Sequence, residues 1–73
     1  MEEKKPAFIV RIIDELKELH KKRTKLEDFI DTEAFSSLNK TQRGLLKAQA
    51  GAMLAYEQIL SLRLDDLGVK DAD

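Results

Sequence analysis

The sequence predicts an all-α protein: an antiparallel two-helix hairpin whose copies assemble into a helical homo-oligomer. Apolar residues follow helical spacing over two long segments, and a short aperiodic stretch separates those segments. The chain has only 73 residues and no cysteine. Small domains commonly need a disulfide, a metal ion or self-association for stability. A disulfide is impossible here and a single histidine makes a metal site unexpected, so self-association is the expected solution.

The composition favours one folded domain over residues 1–73. Hydrophobic residues make up 42% of the chain and the net charge is only −1, whereas disordered chains have fewer apolar residues and more net charge. The near-neutral charge argues against a DNA-binding or RNA-binding protein. No apolar run approaches the roughly 20 residues that span a bilayer, and the N-terminus lacks a signal-peptide cleavage pattern. We therefore expect no membrane association and a cytoplasmic location.

The first helix is predicted from about residue 7 to about residue 30. Pro6 suits its start, because proline lacks an N–H group that the first helical turn leaves unused. Apolar residues then recur at steps of three and four, as on one face of a helix, with Arg23 as the interruption. The apolar residues of this face are Ile9, Ile12, Leu16, Leu19, Leu26 and Ile30, with Ile13 and Phe29 beside them.

Residues 31–39 are predicted to connect the two helices, because they show no apolar period. Phe35 and Leu38 are expected to tuck under the turn and set the angle between the helices. Asn39, followed three positions later by Gln42, resembles a capping box and predicts a helix start near Lys40.

The second helix is predicted from about residue 40 to about residue 67, with residues 68–73 as a polar tail. Gly68 suits its end, because glycine readily adopts the left-handed conformation that follows many helices. The residues predicted to face the core are Leu46, Met53, Leu60 and Leu67, beside Leu45, Ala52 and Ile59.

Small residues on another flank of the second helix indicate close packing between chains. This flank consists of Ala48, Gly51, Ala55 and Leu62. Glycine inside a helix costs about 1 kcal/mol relative to alanine, and dispersion contacts at close approach would offset that cost. The alternative is that the alanines are present only as good helix formers. Because apolar and small residues cover most of the circumference, one partner helix from the same chain is not enough to bury them.

Two polar features have both a structural and a ligand-binding interpretation. Arg23 lies in the apolar face within the basic segment 20–25, so its guanidinium must reach water, a carboxylate or an anionic ligand. The residues Gln42, Gln49, Tyr56 and Arg63 lie seven apart along the second helix. They form either a polar seam between helices or a set of groups that hydrogen-bond, stack on and neutralise a nucleotide. The sequence favours the structural interpretation of this second set.

The residue types that support catalysis are not arranged for it. His20 lies beside lysines on a predicted helix, and the sequence shows no nucleophile with an orienting carboxylate. The chain also has no pair of histidines at helical spacing for a metal and no glycine-rich phosphate loop after a strand. We therefore expect neither an enzyme nor a bound cofactor or metal.

The ordered pattern of these residues resembles a family of small helical phage proteins. The segments "RIIDELKELHKKRTKLEDFI" (11–30) and "LLKAQAGAMLAYEQILSLRL" (45–64) carry it, with Phe35 and Leu38 between them. The resemblance covers about 55 of the 73 residues. The matching positions are Arg11, Asp14, Glu15, Leu19, Lys25, Leu26, Phe29, Phe35, Leu38, Leu45, Leu46, Gln49, Met53, Tyr56, Leu60 and Arg63.

The family is similar to the type 2 anti-CBASS proteins of bacteriophages. CBASS is a bacterial immune system that signals infection with cyclic oligonucleotides, and the phage protein is a sponge that binds the signal without cleaving it. The resemblance implies a homohexamer with cyclic di- or trinucleotide pockets between protomers in the host bacterial cytoplasm. The ligand-binding candidates that it implies are Phe8, Arg11, Lys25, Tyr56 and Arg63.

Two positions depart from the family pattern. Val10 stands where the pattern has an aromatic residue that stacks on a base, and Phe8 is the nearest aromatic. Glu27 replaces a hydroxyl expected near Lys25, and a carboxylate there would repel a bound phosphate.

The alternative functions are an oligomeric accessory protein that binds a protein partner and, ranked lower, a nucleic-acid binder that uses residues 20–25.

Overall fold

The computed structural model describes residues 5–69, which form three helices and no strand. Helix α1 spans Ala7–Ile30, α2 spans Glu33–Ser36 and α3 spans Lys40–Asp66. The all-α class is confirmed. The predicted two-helix count needs a correction, because the connection itself contains the one-turn helix α2. Thr32 caps this turn: its hydroxyl accepts a hydrogen bond from the Phe35 N–H at 3.2 Å.

Helices α1 and α3 pack against each other in antiparallel directions. Ile9 and Ile12, near the start of α1, share one buried cluster with Leu60 and Leu64, near the end of α3. Along α1 the packed positions recur at steps of three and four, as the sequence predicts. Arg23 occupies one of these positions and is half-buried. The interface therefore has the repeat of a short coiled coil.

The face that α3 turns towards α1 differs from the predicted one. Leu46, Met53 and Leu60 do face α1, but Leu45 is 58% exposed and Ile59 is 53% exposed. Ala52 and Leu67 are exposed as well. The observed packed face consists of Arg43, Leu46, Ala50, Met53, Glu57, Leu60 and Leu64. The predicted buried face differs from the observed one by a rotation about the axis of α3. Glu57 gave the observed face a charged residue, which is tolerated there because Arg23 of α1 lies opposite it.

The connection is held by aromatic packing under the turn. Phe35 is buried and Leu38 is half-buried, so both tuck under the turn to the extent expected. The Phe35 ring meets Phe29 edge-to-face, with centroids 6.1 Å apart and an interplanar angle of 89°. Asn39 then caps α3, since its side-chain oxygen accepts the Gln42 N–H at 2.8 Å.

Gly68 ends α3 in the manner expected from the sequence. It has a φ of +83°, and the Val69 N–H donates back to the Leu64 carbonyl at 2.9 Å. The Gly68 N–H bonds to the Asp65 carbonyl, which completes a Schellman motif. Val69 packs against the buried cluster and secures this end. The rest of the predicted tail, 70–73, lies outside the described residues.

The hairpin has a thin core and an exposed apolar surface. Within residues 5–69 the buried apolar side chains are Ile9, Ile12, Phe35, Ala50, Leu60 and Leu64. Several large apolar side chains face outwards, with Leu62 the most exposed at 65%. The predicted small flank of Ala48, Gly51 and Ala55 is also on the surface. None of the helices in the described part is long and apolar enough to cross a membrane.

Candidate functional site

A charged contact crosses the seam between α1 and α3. The Arg23 Nε donates to Glu57 Oε2, and Arg23 Nη2 donates to Glu57 Oε1 at 3.3 Å. The same guanidinium donates from Nη1 to Glu27 Oε2 at 2.9 Å. Arg23 therefore pairs with carboxylates of both helices, which is the ion-pair interpretation of its position in the apolar face.

His20 joins this contact from the edge of the seam. Its Nδ1 lies 3.1 Å from Glu57 Oε1 and 3.3 Å from Arg23 Nη2. A protonated Nδ1 donates to the carboxylate, and an unprotonated Nδ1 accepts from the guanidinium. The hydrogen bonds from Arg23, and secondarily from His20, hold the pKa of Glu57 below its ordinary value. Glu57 is thus a buried carboxylate that stays ionised because the Arg23 guanidinium pairs with it.

Sequence reasoning missed Glu57, although a signal was present. Glu57 stands among Leu46, Ala50, Met53, Leu60 and Leu64 of the packed face, all of which are apolar. Arg23 is the corresponding exception on α1. Two opposite charges that each interrupt an apolar face predict a buried pair between those faces.

One open groove runs along α1 on the side of Lys25. Its volume is about 770 Å³. We call it the lysine groove, and its lining residues are Leu16, Lys17, His20, Lys21, Thr24, Lys25, Leu54, Glu57, Gln58 and Ser61. Three lysines on α1 face the polar Gln58 and Ser61 of α3, with Leu16 and Leu54 as its apolar part. The groove therefore combines cations, hydrogen-bonding groups and apolar surface.

A second groove, of about 400 Å³, lies near the other end of the hairpin. We call it the Arg63 groove, and its lining residues are Phe8, Ile59, Leu62, Arg63, Asp66 and Leu67. The predicted candidates Phe8 and Arg63 thus meet in one place although they come from different helices. An exposed aromatic ring beside a guanidinium is suited to stack on a base and hold an anion.

Tyr56 and Arg11 are not lining residues of either groove. The Tyr56 hydroxyl donates to Glu15 Oε2 at 2.6 Å, and this hydrogen bond raises the pKa of Tyr56. The contact joins α3 to α1, in agreement with the structural interpretation of Tyr56. Arg11 is exposed on α1. Of the five candidates, only Phe8 and Arg63 therefore line the same one of these two grooves.

The described residues offer little for metal binding. Within residues 5–69, no group of three or more histidine, cysteine, aspartate or glutamate side chains is placed to hold a metal ion. The ionisable groups that cluster, His20 with Glu57, are occupied by each other and by Arg23.

These features define a small α-helical hairpin protein with a charged pair in its seam and surface grooves lined by cations. The chain belongs to the Sequestin family, whose model matches residues 6–66, well over half of its length. This membership agrees with the resemblance to the sequestering anti-CBASS proteins. The family name indicates sequestration of a molecule. No curated protein and no solved structure matches the chain significantly.

Proposed function

We propose that this protein is a phage-encoded sponge that binds cyclic oligonucleotide immune signals and suppresses the antiviral defence of the host bacterium. It acts in the host cytoplasm as a homo-oligomer, and the resemblance points to a hexamer. The observation that carries the proposal is membership of the Sequestin family over residues 6–66. That membership supports sequestration, and the resemblance in sequence supplies the cyclic di- or trinucleotide as the molecule held.

The surface chemistry of the hairpin supports an anionic ligand despite a net charge of −1. Lys25 lies in the lysine groove, and Arg63 lies with Phe8 in the Arg63 groove. Glu27 lies two residues from Lys25, where its carboxylate would repel a phosphate. Its Oε2 lies 2.9 Å from Arg23 Nη1. Part of its negative charge is thereby compensated, so its repulsion of a phosphate near Lys25 is reduced.

The exposed apolar surface supports self-association. Leu45, Ile59 and Leu62 are each more than half exposed, and a Cβ at Gly51 would meet nothing within 4 Å. Removal of such side chains from water favours association by about 25 cal/mol per Å² of apolar surface, and the entropy cost of association opposes it. In an oligomer, grooves of neighbouring chains combine, so that one small ligand meets cations from several copies.

The proposed mechanism is mass action without chemical turnover. A protein present in stoichiometric excess over the signal lowers the free signal concentration to a level set by the dissociation constant. Enclosure between chains slows dissociation, which matters more for retention than fast association. No catalytic group is required, and the ligand is released unchanged.

Calorimetric titration with a panel of cyclic di- and trinucleotides tests the proposal. We expect saturable binding, with the ligand recovered intact by chromatography after prolonged incubation. Lys25→Ala and Arg63→Ala are each expected to weaken one binding mode at least tenfold, while the subunit number stays unchanged. Absence of binding across the panel, or conversion of the ligand, would contradict the proposal.

Two control variants sharpen this test. Lys22→Ala removes the same charge from an exposed site on α1 that lines neither groove, so its affinity should match the parent protein. Arg63→Lys keeps the charge but loses the planar fork that holds a phosphate with two hydrogen bonds. An intermediate affinity for Arg63→Lys would assign a bidentate contact to Arg63.

The second candidate function is an oligomeric accessory protein that binds a protein partner. The exposed apolar side chains of α3 favour it, because such surfaces also mark protein-binding sites. Copurification of one defined protein, together with a nucleotide-free preparation that fails to bind the panel, would favour this function over sequestration.

A further inference from the structure

The cationic side of the lysine groove extends well beyond the one lysine that the sequence pattern singles out. Lys17, Lys21 and Lys25 lie four residues apart along α1 and all line this groove. Each step of four residues rises about 6 Å, so the three ammonium groups emerge from a row about 12 Å long. A row of this length exceeds what a single phosphate would occupy.

These lysines form no salt bridge with the described residues of the hairpin. Across residues 5–69, the salt bridges of 4 Å or less involve only Arg23, His20 and their carboxylate partners. The one carboxylate that lines the groove, Glu57, has both oxygens engaged by Arg23, with His20 at one of them. The free charge that the groove presents to a ligand is therefore positive.

The remaining groove residues suit the other parts of a nucleotide. Leu16 and Leu54 provide apolar surface, and Gln58 and Ser61 on the facing helix provide hydrogen-bond donors and acceptors. A volume of about 770 Å³ falls within the range of small-molecule sites. A nucleotide with its phosphates along the lysines and its base towards α3 would contact the cationic, polar and apolar residues of this groove.

We propose that Lys17 and Lys21, together with Lys25, form a phosphate-binding row that holds a ligand with at least two phosphates along α1. This inference rests on the proposed function and deepens it, since it assigns two further binding residues and requires a ligand with more than one phosphate. A mononucleotide engages fewer of the lysines and binds more weakly.

The test is calorimetric titration of the full chain with three probes: cyclic di-GMP, inorganic triphosphate and GMP. Lys17→Gln and Lys21→Gln remove one charge each and keep a polar side chain that is one atom shorter, and Lys22→Gln is the matched control outside the groove. The three sites are exposed, and thermal unfolding confirms that each variant stays folded.

We expect Lys17→Gln and Lys21→Gln each to weaken binding of cyclic di-GMP and of triphosphate about fivefold, the effect of one charge pair at contact distance in water. The affinity of each of these two variants should also depend less on salt concentration than the affinity of the parent protein. Lys22→Gln should change neither quantity, and GMP should bind more weakly than either other probe.

The outcomes separate this row from the proposed function. Parental affinity in both Lys17→Gln and Lys21→Gln overturns the row, whereas cyclic di- or trinucleotide binding that depends on Lys25 alone leaves sequestration intact. Triphosphate binding that depends on all three lysines, without binding to any cyclic oligonucleotide, keeps the row and overturns sequestration of the signal. Tighter binding to a 20-base-pair DNA duplex than to either small probe would also overturn the row as a small-ligand site.

Discussion

The contact between Arg23 and Glu57 is the residue pair that most strongly specifies how this hairpin aligns. Each charge interrupts an apolar face, and Glu57 meets the Arg23 guanidinium only when the two helices pack in the observed register. A shift of one turn would leave a carboxylate and a guanidinium against apolar side chains, which is costly. The pair therefore selects one alignment among several that the apolar residues alone would permit.

Replacing one partner of this pair should destabilise the hairpin more than replacing both. Glu57→Leu leaves Arg23 in the seam with only Glu27, so we expect a lower melting temperature and a loss of about 1.5–3 kcal/mol, the range for hydrogen bonds to charged groups. Arg23→Met with Glu57→Leu completes the apolar faces and should recover most of that loss.

Thermal unfolding at one fixed protein concentration measures these variants, because association makes the melting temperature depend on concentration. The control is Gln58→Leu, the same apolar change at the next, exposed position of α3. A double variant no more stable than Glu57→Leu would show that the pair contributes through something other than mutual neutralisation.

Acid should remove the contribution of Glu57. Its folded-state pKa lies below the ordinary 4.5, so its stabilisation is fully present above that value and disappears as the pH falls through the lowered pKa. Unfolding of the parent protein and Glu57→Gln, measured from pH 7 to pH 3, should show a stability difference that shrinks below about pH 4.5. A difference that persists unchanged to pH 3 would contradict this assignment.

Helix α3 is an element with two different apolar sides. One side, with Ala50, Leu60 and Leu64, is buried against α1, whereas Leu45, Ile59 and Leu62 point away from it. Its two ends are defined locally, by the side chain of Asn39 and by the left-handed backbone at Gly68. The termini of the helix are therefore independent of which side packs, because their hydrogen bonds lie within the adjoining turns.

Substitution of the two glycines at opposite ends of α3 should have opposite effects. Gly68→Ala places a Cβ on a residue with φ of +83° and should lower the free energy of unfolding by about 1–2 kcal/mol. Gly44→Ala lies inside the helix with nothing within 4 Å of the new Cβ, so it should raise that free energy by about 1 kcal/mol. Chemical denaturation measures both, and equal effects of the same sign would contradict the Schellman assignment.

The whole hairpin is a slender body, about 54 Å long and 20 by 16 Å across. Leu60 and Leu64 are its largest fully buried side chains. A protein with so little interior is marginally stable as a single chain, and its exposed apolar residues offer further burial when copies meet. The proposed self-association and the proposed ligand pockets between chains are therefore properties of whole hairpins in contact with one another.

Gly51→Leu tests whether the small flank lies between chains. In the isolated hairpin a Cβ at Gly51 meets nothing within 4 Å, and leucine is the better helix former. If copies approach closely at this flank, the larger side chain should lower the subunit number measured by native mass spectrometry. Gln49→Leu is the control, at an exposed position of α3 away from this flank. A parental subunit number in Gly51→Leu would place the contact elsewhere.

The sequence predicted the helices and their ends better than it predicted which sides of them meet. Apolar periodicity located the face of α1, and residue chemistry identified the caps at Asn39 and Gly68. The predicted buried face of α3 was rotated about the helix axis from the observed one. The charge of Glu57 argued against the observed face, and Leu45 and Ile59 resembled core residues. Burial of a charge depends on a partner from the other helix, which no single-helix pattern contains.

For the candidate site, the sequence and its resemblance supplied individual residues, and the structure supplied their grouping. Phe8 and Arg63 are 55 positions apart in the chain and share a groove, whereas Lys25 lies in another groove with Lys17 and Lys21. Tyr56 is tied to Glu15 rather than directed into either groove.

The sequence by itself determined that this protein is helical, where its long helices lie and which residues cap them, because these properties arise from hydrogen bonds and spacing within a few residues. Only the tertiary structure decided that Glu57 faces Arg23, that α3 leaves an apolar side exposed and that the lysines line one groove. Those arrangements depend on the rotation of one helix against another, and that rotation is set by packing and charge neutralisation between segments distant in the chain.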